Sequence, residues 1–407
     1  MWHLQYYAGS QKFKQKKLII YNIFIKTFTL QTNVYCTVNL ILKIRFLTAS
    51  RLLYVVKQPC QKKKSGNFSR HHPLASLRCK KYEVMIFEEQ LSRKPDYYPW
   101  TQDFIEAMHN GFWTDKEFSF SSDIQDFNVN LSDDEREMII RTLSAIGQIE
   151  VAVKKFWAKL GDNLPHPSLT DLGYVMANTE VIHNNAYERL LTVLGLEDIF
   201  EENLKLDFIE GRVRYLRKYN HKFYKDSKKQ YVYALILFTL FVENVSLFSQ
   251  FYIINWFNRY RNVLKDTGQQ VKYTRNEENI HALTGIKIIN TIREEHPELF
   301  DEELENRINH EAEEALVAES KIVDWMVNGF DEKGLSADIL KEFIKNRIND
   351  SLEKIGFAPA FNVDTSLLED TMWFEEELMG NNATDFFHSR PVEYSKNSQT
   401  FDADDLF

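Results

Sequence analysis

Two Glu-x-x-His pairs, Glu180/His183 and Glu278/His281, each lie inside a long stretch with helical period. On a helix the i and i+3 positions share a face, and Tyr187, four residues beyond His183, falls on that face too. A carboxylate and an imidazole so placed are half of a site for two metal ions. Two such pairs, with one lone Glu from each of two further helices, complete it. The pattern therefore restricts the chain to a bundle in which four helices aim acids inward.

The lone carboxylates are expected where a helix is otherwise too apolar to carry a charge. Glu150, within Leu143 to Val153, and Glu243, within Tyr233 to Phe248, meet that condition. A buried carboxylate needs a partner or a metal, because desolvating an isolated one is very costly. Four Glu and two His form a mixed oxygen and nitrogen donor set, suited to iron or manganese with positions left open for dioxygen. Glu-x-x-His alone is a weak pattern, and a third copy, Glu106/His109, reads as surface in a short polar segment. Two pairs in long helical stretches, accompanied by two lone Glu, are much harder to obtain by chance.

No alternating strand pattern persists, Gly and Pro are scarce at 14 and 9, and 30 Phe favour a thick helical core. The expected fold is all-α, a ferritin-like helical bundle with the di-metal carboxylate site between four core helices. Long helices are expected over about 133–160, 168–194, 228–258, 277–294 and 301–327, with two more over 335–348 and 350–356. A short helix runs from Thr101 past Met108, and residues 197–225 form a shorter helix plus a turn. Ser121 to Asp123 and Ser132 to Glu135 read as turns and caps.

The net charge of −9 hides an asymmetry: residues 1–84 carry +15 and the remainder −24. An acidic body argues against a general nucleic-acid binder. All three cysteines, Cys36, Cys60 and Cys79, lie in the basic segment, so the body has neither a disulfide framework nor a thiol catalyst, as fits a reducing, cytoplasmic setting. Residues 1–84 contain no apolar run long enough to span a bilayer and no amphipathic period. They read as a basic extension unlike native structure, with Met85 as the expected start. Residues 85–384 form the di-metal domain. Residues 385–407 are polar and end in Phe401 to Phe407, apolar positions among acids, which suggests a docking peptide that orders on a partner.

Tyr187 lies one turn beyond His183, so its phenol is expected beside the metals. One-electron oxidation would make it a tyrosyl radical, with Leu247 and Phe251 walling it from solvent. A core tyrosine hydrogen-bonded to a ligand is the alternative from position alone.

From Met85 onward the chain resembles the small, radical-generating subunit of class I ribonucleotide reductase. The resemblance rests on Glu150, Glu180, His183, Glu243, Glu278 and His281 as the ligand set and on Tyr187 at the radical position. It also rests on Gly111-Phe112-Trp113, Phe386-Phe387 and Glu393-Tyr394-Ser395. It implies two iron ions, or a manganese pair or mixed pair, and dioxygen for activation. Trp113, Glu277 and Tyr394 are implied as radical-transfer residues, the C-terminal tail as the dock for a large catalytic subunit, and a homodimer as the assembly. No nucleic acid or membrane partner is implied. Two positions depart from the commoner pattern: Glu150 and Glu277 both stand where many members have Asp. Other functions open to the same bundle are a di-metal desaturase, hydroxylase or ligand-binding oxidase, a ferritin-type metal store, and a helical scaffold without metal.

Overall fold

The computed structural model describes residues 85–147, 149 and 155–378. The basic extension 1–84, Glu150 and the tail 385–407 with Tyr394 lie outside these. Among the described residues there is no β-strand, only an isolated bridge between Glu332 and Leu335.

The principal helices are α1 (Thr101–Asn110), α2 (Asp133–Gly147), α3 (Pro167–Leu194), α4 (Asp207–Leu216), α5 (Ser227–Arg261), α6 (Lys265–Glu295), α7 (Glu302–Val327) and α8 (Ala337–Lys354). Helices α2, α3, α5 and α6 pack on one another as the inner layer. Helices α4, α7 and α8 cover the α2–α5 side, and α1 covers α3 and α6.

Local chemistry sets the helix starts. Ser132 and Glu135 form a reciprocal cap on α2: Glu135 N donates to Ser132 Oγ at 3.3 Å, and Ser132 N to Glu135 Oε2 at 2.9 Å. Pro167 opens α3 at a position where its missing N–H costs nothing. The start of α6 is capped from outside. The buried Asp123 accepts from Asp266 N at 3.2 Å and Thr267 N at 2.7 Å, placing a carboxylate on the positive end of the helix.

Several boundaries differ from expectation. The helix expected over 133–160 ends at Gly147 within the described residues, and a turn at 158–159 separates 155–157 from Leu160–Asn163. The two helices expected over 335–356 are one, α8, because Asn349 sits inside it and accepts from Ala360 N and Phe361 N instead of breaking it. Residues 197–225 hold two helices, Glu197–Asn203 and α4, not one. Helix α6 begins a full three turns before Glu277, on a polar sequence that apolar periodicity does not detect.

Helix α5 is 35 residues long and apolar enough to cross a bilayer, yet its apolar window is wholly buried in the bundle. Between Leu237 and Ser246 it widens into a ten-residue π-helix, all of it buried. Such segments are rare and concentrate at functional positions. Two buried arginines hold it. Arg347 donates to Asn244 O at 2.8 Å and Asn244 Oδ1 at 2.6 Å. Arg212 donates to Ser246 O and to Ala145 O of α2, and pairs with the buried Glu319 at 2.9 Å. Gly285 lets α6 close on this segment, since a Cβ there would lie 2.2 Å from Thr239 Oγ1. Thr239 is one turn before Glu243 and Gly285 one turn beyond His281, so this contact fixes how near those two side chains come.

Candidate metal centre

Four of the six expected ligand positions, Glu180, His183, Glu278 and His281, come from α3 and α6, and Glu243 comes from the π-segment of α5. All five are at most 1% exposed. Glu150, the sixth, lies outside the described residues. One donor atom from each of Glu180, Glu243, Glu278 and His281 lies within 4.8 Å of the others. His183 Nδ1 completes the ring, 3.0 Å from Glu278 Oε1 and 3.4 Å from Glu180 Oε2. His281 Nδ1 lies 2.9 Å from Glu180 Oε1, 3.4 Å from Glu278 Oε2 and 3.6 Å from Glu243 Oε2. The third Glu-x-x-His, Glu106/His109, is exposed as expected.

The outer nitrogens fix the tautomers. Thr179 Oγ1 has one proton, which it donates to Met176 O at 2.7 Å, so it accepts from His281 Nε2 at 2.7 Å. Glu277 Oε2 accepts from His183 Nε2 at 2.7 Å and from Trp113 Nε1 at 2.8 Å. With both Nε2 atoms occupied by N–H donation, it is Nδ1 of each imidazole that faces the carboxylates, the orientation that outer partners give to metal-binding imidazoles. Trp157 Nε1 donates to Glu243 Oε1 at 2.7 Å and leaves its other oxygen facing the cluster.

This donor set fits a bound metal pair. Both oxygens of Glu180, Oε2 of Glu278 and Nδ1 of His281 are buried without a well-aligned hydrogen bond among the described residues. Such atoms are costly unless a cation meets them. The electrostatics agree. Burial lowers the pKa of both imidazoles, but hydrogen bonds and charge from the surrounding Glu outweigh it and raise both well above the ordinary value. Burial and the Glu278 charge raise Glu243 well above the carboxylate range. Glu278 is held low despite its burial, by hydrogen bonds with Glu243, His183 and His281. Without metal, protons must supply the positive charge that the cluster demands.

Tyr187 is 2% exposed, one turn beyond His183, and belongs to the same apolar core as Leu247 and Phe251. Trp113 is 1% exposed and lies with its ring 6.2 Å from that of His183, inclined by 27°. Glu277, despite its longer arm, reaches Trp113. Thr179 and Trp157 were not foreseen. Each touches its target across 102 and 86 residues respectively, a distance no local motif encodes.

Comparison with known proteins gives a consistent result. Residues 92–367 match the family described as "Ribonucleotide reductase, small chain". A probable ribonucleoside-diphosphate reductase small subunit of Invertebrate iridescent virus 3 is 24% identical over 337 residues, covering 79% of this chain and 88% of that one. The ribonucleoside-diphosphate reductase subunit beta of Treponema pallidum is 23% identical over 310 residues, covering 75% and 88%. A putative class I ribonucleotide reductase of Bacillus halodurans shares the fold at a TM-score of 0.62 and 19% identity, over 69% of this chain and 99% of that one. An R2-like ligand-binding oxidase with a Mn/Fe cofactor shares it at 0.54 and 17%, over 65% and 94%. The helical bundle, the buried Glu/His cluster and the match over residues 92–367 lead to one conclusion: the chain belongs to the ribonucleotide reductase small-chain family.

Proposed function

We propose that this chain generates a tyrosyl radical on Tyr187 and lends its oxidising power to a separate large subunit that reduces ribonucleotides to deoxyribonucleotides. The observation that carries the reading is the shared oxygen of Glu277, which joins the buried Trp113 to His183, and through it to the donor cluster. Two ions would be held by Glu180, His183, Glu243, Glu278 and His281, with Glu150 as the sixth ligand. Iron is the first choice, and a manganese or mixed pair suits the same donors. When bound, the pair supplies activation of dioxygen to an oxidant able to take an electron and a proton from a phenol.

The chain's own residues do the rest. Burial in the apolar core, at 2% exposure, keeps water and reductants from the Tyr187 ring. Glu277 fixes the imidazole orientation of His183 and the indole N–H of Trp113 at once. An electron entering through Trp113 therefore meets a hydrogen-bonded route inward. Tyr394 and the acidic terminus would continue the route to the large subunit. A cytoplasmic homodimer with no nucleic-acid or membrane partner completes the reading.

The test is spin resonance on protein loaded with Fe(II) and exposed to air. A tyrosyl doublet that disappears in Tyr187→Phe is expected, and a doublet unchanged by that substitution would overturn the assignment. A second reading, a ligand-oxidising enzyme of the same fold, is favoured by a cavity of about 910 Å³ whose wall includes Phe238 and Val242 of the segment that carries Glu243. Removing residues 385–407 separates the two: turnover with the large subunit is lost under the first reading, and oxidation persists under the second.

A further inference from the structure

We infer that the stretch Phe401 to Phe407 docks on this chain's own body, in the basic-rimmed apolar cavity lined by α4, α5 and residues 155–163. The inference goes beyond the radical reading and does not depend on it, because it needs only the charge and chemistry of the two parts.

The cavity has a volume of about 910 Å³. Among the described residues that line it, Lys155, Lys159, Arg217 and Lys222 are cations and none is acidic. All four are exposed, and none has an ion-pair partner among the described residues. The one acid between Lys222 and Lys229, Asp226, is turned away to cap α5, accepting from Lys228 N at 2.8 Å. In a domain whose net charge is strongly negative, a concave patch of one sign focuses a positive potential on its mouth. The wall behind the cations is apolar: Phe156 stacks on Phe238 with ring centroids 3.9 Å apart, and Phe200, Leu204, Leu216 and Val242 extend it. Tyr231 also lines the cavity, and its hydroxyl is buried with no hydrogen-bond partner among the described residues. The fitting ligand is therefore a peptide or small molecule with apolar groups set among carboxylates.

The chain carries such a sequence. From Asn397 to Phe407 it holds Asp402, Asp404 and Asp405, the apolar Phe401, Leu406 and Phe407, and no cation. The acids suit the rim and the apolar side chains suit the wall. Reach is sufficient. The chain from Leu378 to Phe401 extends up to about 75 Å, whereas a domain of this length has a radius of gyration of about 19 Å. Tethering also gives this stretch an effective concentration on the order of mM, which favours it over a separate molecule of the same chemistry. A docked stretch is withheld from any other partner, and its apparent affinity for that partner falls with the fraction left free.

Carbodiimide coupling of the full chain, which joins a carboxylate to a lysine amine held against it, tests the docking. Expected at low ionic strength are cross-linked peptides joining Asp402, Asp404 or Asp405 to Lys155, Lys159 or Lys222. Amide exchange over residues 401–407 should be slowed about 10-fold relative to the free peptide of residues 397–407. Both signals should be lost when Lys155, Lys159, Arg217 and Lys222 are changed together to Glu. They should be lost equally in the triple variant Asp402→Asn, Asp404→Asn and Asp405→Asn, which leaves the folded body untouched. Exchange over residues 401–407 as fast as in the free peptide would overturn the proposal, and dodecanoate bound by the same protein would then assign the cavity to a free amphipathic anion. Cross-links that join labelled to unlabelled chains in an isotope mixture, with none inside one chain, would overturn docking on the chain's own body.

Discussion

The two Glu-x-x-His pairs look equivalent in sequence and are not equivalent in surroundings. His183 passes its outer N–H to a carboxylate, Glu277, which also holds the buried indole of Trp113. His281 passes its outer N–H to a hydroxyl, Thr179, whose own proton ends on the Met176 carbonyl of the same helix. Near-identical inner donors are thus joined to one arm that the proposed radical transfer would use, the conducting arm of that proposal, and one closed arm. The inner atoms face the candidate metal site, and the outer atoms differ in what they connect to.

The largest expected effect breaks the conducting arm. Glu277→Ala should abolish turnover with the large subunit, a loss of about 100-fold or more, while the Tyr187 radical still forms; spin resonance and product assay on the same sample check both halves. Glu277→Asp sharpens the point. It keeps the charge on a shorter arm, so turnover should survive at a reduced level, well above that of the Ala variant in the same assay. Trp157→Phe removes the donor that fixes Glu243. It should cost about 1–3 kcal/mol in denaturant unfolding and weaken metal retention, read by metal analysis after dialysis. Thr179→Val breaks the closed arm and should cost only about 1 kcal/mol, with turnover nearly unchanged.

The metal-free protein should also show the difference between protons and metals in its pH response. The folded-state pKa of both imidazoles lies above the unfolded value. Their stabilising contribution is therefore complete below about pH 6.5 and is lost as pH rises through the raised values. The Tm of the apoprotein should fall on the alkaline side, while that of the loaded protein should hold, because metal replaces the protons.

Legibility in the sequence followed the range of the interaction. Glu180, His183, Glu278 and His281 were readable because each pair is local and helical spacing puts it on one face. Glu243 was readable because a lone acid in an apolar run needs a reason to be there. Glu277 as the neighbour of Trp113 was implied by family resemblance and not by spacing. Thr179 and Trp157 were invisible, since nothing near either residue in the chain indicates its distant partner. The π-segment was hidden because every position from Leu237 to Ser246 is buried, so no apolar period distinguishes a wide helix from an ordinary one. The Arg212–Glu319 pair reads as two surface charges on amphipathic helices until packing places both inside.

The central claim is that these side chains grip two ions with both imidazoles facing inward through Nδ1. Anomalous diffraction from crystals of the iron- or manganese-loaded protein tests it most directly. Two metal peaks per chain are predicted, bound by Glu180, Glu243, Glu278 and Nδ1 of His183 and His281, with Nε2 of each still on Glu277 and Thr179. A single peak, or ligation through Nε2 with those outer contacts broken, would contradict it.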